Sequence, residues 1–233
     1  MTDRTFGGVE LTRVAPAATP GPLDDTFYDL VEARFRRVVE EEPTYATHLG
    51  IHAWDDRLPD PSRERILGDI EADKGHLAKV EALDPAGLSA EARFERDLEL
   101  HHVRLSLYRG DTIRTWERRS TGASGIGDAI FPLFTRDFAP LPERLAAITA
   151  RLEAAPRYLR DHRTRAVVPQ VGPWLEVELT ASASMPSFLD EVVAATDAAG
   201  PAVSTAERGR LVRAVERTKV AIEDQAEWIH EIL

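Results

Sequence analysis

The stretch DDTFYDLVEARFRRVVEEE, residues 24–42, decides the fold class. Its apolar side chains Phe27, Leu30, Val31, Phe35, Val38 and Val39 recur at spacings of three and four, the period that lines up one face of an α-helix. Asp24 or Asp25 stands where an N-cap is needed, and Pro43 ends or kinks the helix near Glu42. Glu40-Glu41-Glu42 reads as its solvated face. The same period continues C-terminally. A second helix is expected from about Pro61 to Ala82, with Ile66, Ile70, Leu77 and Val80 as its stripe. A turn at Asp84-Pro85-Ala86-Gly87 follows. A third helix capped by Ser89 then runs through Phe94, Leu98, His101, His102, Leu105 and Tyr108 to stop at Gly110.

Beyond a short segment, Thr112 to Arg118, the run Ser120–Gly125 reads as a flexible connector. Pro142 opens a strongly periodic helix through Leu145, Ile148, Leu152 and Tyr158, which Pro156 should break or kink. Trp174–Thr180 and Phe188–Thr196 read as helices, the alternation of Val177 and Leu179 leaving strand open for the former. Ser204 starts a last helix carrying Leu211, Val215, Ile222, Ile229 and Leu233. The class is all-α, an irregular bundle of about seven or eight helices with no significant sheet. Three prolines and a glycine between Ala15 and Pro22 forbid helix or central strand there, so residues 1–22 are expected as a flexible arm and 23–233 as a single helical domain.

Composition narrows the function classes. The 233 residues contain no Cys, which removes disulfides, thiolate metal sites and thiol nucleophiles. Forty acidic against 29 basic residues, a net charge of −11, argues against phosphate-driven binding of nucleic acid. No apolar run approaches the ~20 residues of a membrane span, and no signal sequence is legible at Met1–Glu10, so a cytoplasmic protein is expected. Only residues 111–170 carry more basic than acidic groups. Within them Arg157, Arg160, Arg163 and Arg165 surround His162, and Arg157 and Arg160 are the candidates to receive an anion or a substrate carboxylate.

Metal chemistry has one candidate. His48 and His52 are four apart, a helical spacing that can aim two imidazoles at one ion. The Glu that a zinc-protease helix places after its first His is replaced by Leu49, and Gly50 suggests that the helix is ending. His101 and His102 diverge by about a hundred degrees on a helix, so one of them is expected to face the core. His230-Glu231 begins a similar motif two residues before Leu233. Asp55-Asp56 lacks the spacing of a calcium loop and reads as a turn capping the next helix. Gly122-Ala123-Ser124-Gly125-Ile126-Gly127 could offer backbone N–H groups to an anion, although no strand precedes it as in a phosphate loop. No catalytic residue and no cofactor site is assigned.

Two blocks together resemble the bacterial family known as domain of unknown function 885. The first is Glu42-Pro43-Thr44-Tyr45-Ala46-Thr47-His48-Leu49-Gly50-Ile51-His52 with Asp55-Asp56-Arg57-Leu58-Pro59-Asp60. The second is Phe138-Ala139-Pro140-Leu141-Pro142-Glu143-Arg144-Leu145 with Ile148, Arg151-Leu152, Pro156 and Leu159. The resemblance implies a largely helical protein. It also implies relatives more than twice this long, regarded as zinc-dependent peptidases whose H-E-x-x-H element lies in a C-terminal half with no counterpart here. Zinc is implied only for that half, and no ligand transfers to this chain. The expected function is therefore the N-terminal, substrate-channel half of a metallopeptidase, not catalytic by itself. The alternatives are a stand-alone helical binding or interaction protein and, more distantly, a metal-dependent hydrolase built on His48 and His52. Expected partners are the missing half or a second copy, meeting an apolar patch near Trp228, Ile229, Ile232 and Leu233, with neither nucleic acid nor membrane involved.

Overall fold

A computed structural model describes residues 5–10, 17 and 19–233. Among the described residues a two-strand hairpin, β1 (Thr5–Phe6) and β2 (Val9–Glu10), is followed by nine helices. These are α1 (Asp24–Glu41), α2 (Pro43–His48), α3 (Arg63–Glu81), α4 (Ala90–Leu107), α5 (Thr115–Arg118), α6 (Gly122–Thr135), α7 (Leu141–Thr164), α8 (Gly172–Ala199) and α9 (Thr205–Ile232). The all-α class is confirmed. No helix among the described residues is long and apolar enough to cross a membrane. The arm expected over 1–22 lies partly outside the described residues, and its described part includes the hairpin, which turns through Gly7 and Gly8 at positive φ. The chain groups into two compact units: Met1–Glu41 with Glu64–Thr115, and Glu42–Arg63 with Trp116–Leu233.

The first unit packs α1, α3 and α4 around Phe27, Val80, Leu88, Ala92 and Leu100. Asp24 does not simply cap its own helix. Its buried carboxylate accepts from the N–H groups of Gly21 (3.0 Å) and Ser89 (2.9 Å), tying the start of α1 to the start of α4. A Cβ on Gly21 would stand 2.5 Å from the Gly87 carbonyl oxygen, so glycine alone allows this approach. Ser89 caps α4 as expected, accepting from Ala92 N–H. Asp73 of α3 accepts two bonds from Arg34, one from Arg37 and one from Ser106, so the middle of this unit is a shared ion-pair cluster. Glu41 is engaged by Arg37 and Arg65 rather than left to solvent.

The face of α4 that packs is not the one the apolar pattern suggests. Ala92, Arg96, Leu100 and Val103 are buried, whereas Phe94 is 70 % exposed and Leu98, His101, His102 and Tyr108 are also exposed. Arg96 explains the choice. Its guanidinium turns inward to donate to the carbonyls of Val80 and Glu81, filling the orphan acceptors at the end of α3. The helix then leaves by a π-turn, Tyr108–Ile113, instead of stopping at Gly110.

The second unit is built on four long helices, with α7 against α6 and α9, and α8 against α6 and α9. Its core runs from Ala123, Ile126, Ile130 and Leu133 through Ile148, Leu152 and Leu159 to Leu189, Leu211, Val215 and Ile222. The Trp174 and Phe188 segments form one continuous helix, α8, and the described residues hold nine helices where seven or eight are expected. Ser204 and Glu207 close a capping box at the start of α9. At the end of α9, Ile229 is fully buried and Trp228 and Ile232 are half-buried, leaving Leu233 exposed.

Pro156 neither breaks nor ends α7, which runs on to Thr164. Proline removes the N–H that would bond the carbonyl four residues back, here that of Leu152. The fully buried hydroxyl of Thr218 on α9 takes its place, donating to Leu152 O at 3.0 Å. Thr218→Val keeps the shape and strands that carbonyl in the core, so it should cost about 1–3 kcal/mol in urea denaturation. An unchanged midpoint would show that the carbonyl finds another donor.

Candidate functional site

The two sequence blocks that carry the family resemblance meet at one buried arginine. Arg151 of α7 is 1 % exposed, and its guanidinium donates to the carbonyl of Ala129 on α6 and to the Thr47 hydroxyl (2.7 Å) on α2. Longer contacts reach the carbonyls of Pro43 (3.4 Å) and Trp54 (3.5 Å). The Thr47 hydroxyl lies 2.7 Å from Asp55 Oδ1, and Asp55 Oδ2 lies 2.8 Å from Nδ1 of His52. The His52 ring stacks on Phe138, from the second block, at 3.7 Å between centroids. Burial pushes the Arg151 guanidinium down to about 10, against the pull of the Asp55 and Asp56 charges, so it remains a cation at neutral pH.

Asp55 therefore caps no helix. It is buried and serves the Arg151 network, while Asp60 accepts from Ser62 N–H at 2.9 Å in the turn before α3. His48 ends α2 with its side chain exposed, and its carbonyl accepts from Arg136. Gly50, at φ +80°, separates it from His52, so the two histidines do not share a helical face. Among the described residues no group of three or more His, Asp or Glu is arranged to hold a metal ion.

A second polar centre lies at the N-terminus of α6, where the sequence suggests a flexible connector. The connector reading is replaced by a helix start whose N–H groups meet an anion from the chain itself. Glu178 of α8, 1 % exposed, accepts from the N–H groups of Ala123 and Ser124 and from the Ser124 hydroxyl (2.7 Å). A carboxylate there answers both the orphan N–H groups and the positive end of the helix dipole. The glycines serve packing: a Cβ at Gly122 would stand 2.7 Å from Leu159 and one at Gly125 2.7 Å from the Tyr158 hydroxyl. Spacing shows the N–H donors but cannot show a carboxylate 54 residues away. Glu178→Ala should cost about 2–4 kcal/mol by stranding one buried and two part-buried donors, read from urea unfolding, with Glu178→Gln losing less.

His162 and the arginines around it separate. His162 is buried with Arg165 Nη2 at 2.6 Å from its Nε2. Arginine can only donate, so Nε2 must accept and the proton of the neutral ring sits on Nδ1. Arg157 pairs with Asp161 along α7 and borders a cleft with Leu58–Pro61. Arg160 lies in a different groove, between α7 and α9, together with Arg163 and Arg217. The two predicted anion contacts thus do not converge, and the residues that join Arg160 are Arg163, one helical turn on, and Arg217 from α9.

Comparison with known proteins places this architecture. The chain matches a solved structure from Shewanella oneidensis, described as "a putative lipoprotein of unknown function", with a TM-score of 0.75 and 19 % identity. The match covers 88 % of this chain but only 37 % of that one, so this chain spans little more than a third of the length of that neighbour. At this identity the likeness speaks for the fold alone. No curated protein matches the chain. Residues 43–233, which include both blocks joined at Arg151 except for Glu42, match the model of the family "Bacterial protein of unknown function (DUF885)", and the chain belongs to that family.

Proposed function

We propose that the chain acts as a helical, non-catalytic module within a larger functional unit, the substrate-channel half of a metallopeptidase-like assembly whose zinc site is supplied by another part. One observation carries this reading: a solved neighbour contains almost all of this fold as 37 % of its own length. The Arg151 network is consistent with it. Apart from the Arg151 Nε, which has no partner among the described residues, the polar groups that meet there are spent on one another and on backbone carbonyls, which makes the network a tie between α2, α6 and α7 rather than a reactive centre. The exposed Phe94 and Leu98 on α4, with Tyr108 in the π-turn that follows, offer apolar area for a covering partner.

The purified chain tests this directly. A casein-based fluorogenic assay with and without added zinc should show no turnover, and equilibrium dialysis should show no stoichiometric zinc. Turnover, or one tightly held zinc that disappears in a His48→Ala, His52→Ala pair, would overturn the module reading in favour of a self-sufficient hydrolase.

A further inference from the structure

We propose that the groove between α7 and α9 binds a single carboxylate carried on an apolar chain. The groove encloses about 490 Å³, within the ~300–1,000 Å³ of small-ligand sites. Its floor is apolar, formed by Pro156 and Leu159 of α7 with Val220 and Ala221 of α9, and Val220 is 59 % exposed. Arg160, Arg163 and Arg217 stand over this floor.

Arg163 is the built element. Its Nε donates to Gln225 Oε1 at 2.6 Å. Gln225 is fully buried and is held in turn by its own donation to the Ser120 hydroxyl at 3.1 Å. The guanidinium lies over the Trp228 ring, 5.7 Å from its centroid. Fixed from behind in this way, Arg163 has no carboxylate within ion-pair distance, and its two Nη groups have no hydrogen-bond partner among the described residues. Two unpaired Nη groups on a planar guanidinium form a fork that fits a carboxylate bidentately at low entropic cost. Arg160 and Arg217, likewise without an ion-pair partner among the described residues, add positive charge beside it; the Arg160 charge opposes that of Arg163, and Asp224 and Glu231 offset it from beyond ion-pair distance.

The rim decides which anion. Asp224 and Glu216 also border the groove, and Glu216 is only partly neutralised by Lys219 at 3.3 Å. They oppose a phosphate dianion more than a monocarboxylate. The apolar floor takes the chain that follows the carboxylate, whether that chain is an alkyl group or the end of a short apolar peptide.

Isothermal titration tests the site with four probes: octanoate, octanol, acetate and octyl phosphate, each added to the full chain. Octanoate should bind one to one and at least tenfold more tightly than the other three. Arg163→Gln and, independently, the exposed Arg160→Gln should each weaken it severalfold or more. Val220→Asp should abolish it, and Arg157→Gln outside the groove should leave it unchanged. Circular dichroism and Tm confirm that each variant is folded, and the surface variants Arg160→Gln and Val220→Asp carry the test if Arg163→Gln is destabilised. The tetrapeptide acetyl-Ala-Val-Leu-Leu, as free acid and as amide, distinguishes the two sources of carboxylate; Arg160-dependent binding of the free acid alone supports the site with a peptide ligand. The proposal is overturned if octanol binds as well as octanoate, if Arg160→Gln and Val220→Asp bind as the wild type does, or if neither octanoate nor the free-acid peptide binds.

Discussion

Arg151→Met should lower the stability of the second unit by about 3–5 kcal/mol, the usual cost of removing one partner from a buried charged network. Methionine replaces most of the buried stem, so the loss comes from the polar end. The Ala129 carbonyl and the Thr47 hydroxyl each lose a donor, and the buried Asp55 carboxylate loses its nearest cation, at 3.8 Å. A double-mutant cycle separates these effects. Asp55→Asn alone removes the charge that Arg151 balances, and combining it with Arg151→Met should cost clearly less than the sum of the two. All four tryptophans, Trp54, Trp116, Trp174 and Trp228, lie in the second unit, so indole emission in urea reports on it specifically. Additive losses would mean that Arg151 and Asp55 act independently and that the network is not one unit.

Helix periodicity carries far enough to find most of this fold, because a buried stripe must repeat at the helical spacing wherever a helix has one dry face. It finds α1 to within a residue at its C-terminal end and reads the capping serines at 89 and 204 correctly. It fails where a polar side chain decides the packing. Arg96 turns α4 so that Phe94 faces out, Thr218 lets α7 continue through Pro156, and Glu178 converts a glycine-rich run into a helix N-terminus. Each of these is a long-range bond between residues 16 to 66 apart, and local spacing holds no information about such partners. The candidate sites divide in the same way. Arg160 is legible as part of a basic cluster from the sequence, but Arg217, which lines the same groove, lies on a helix 57 positions later. Asp55 looks like a turn former because Asp–Asp before a proline usually is one; that it faces Thr47 and Arg151 follows only from how α2 docks on α7.

Acid should weaken the second unit well above the pH at which carboxylates titrate, and His162 is the reason. Burial, reinforced by the Arg165 charge against its Nε2, pushes the imidazole down to about 3. In the unfolded chain it titrates near its ordinary value of 6.5. The folded pKa is depressed, so the contribution is complete above pH 6.5 and is lost as pH falls towards 3. Across that window the unfolded state holds more protons, and stability falls by up to about 1.4 kcal/mol per pH unit. Between pH 7.5 and pH 5 the loss from this one group is about 1–2 kcal/mol, because the first unit of the interval lies above the titration. Carboxylates contribute to the raw slope, so the measurement is a comparison. His162→Gln keeps an oxygen that can accept from Arg165 and removes the titrating ring. Its urea midpoint, followed by tryptophan emission, should change less between pH 7.5 and pH 5 than that of the wild type, whatever its absolute stability. Equal pH dependence in the two proteins would mean that His162 takes up its proton in the folded bundle, which requires Arg165 to swing away from Nε2 and open the packing between α7 and the start of α6.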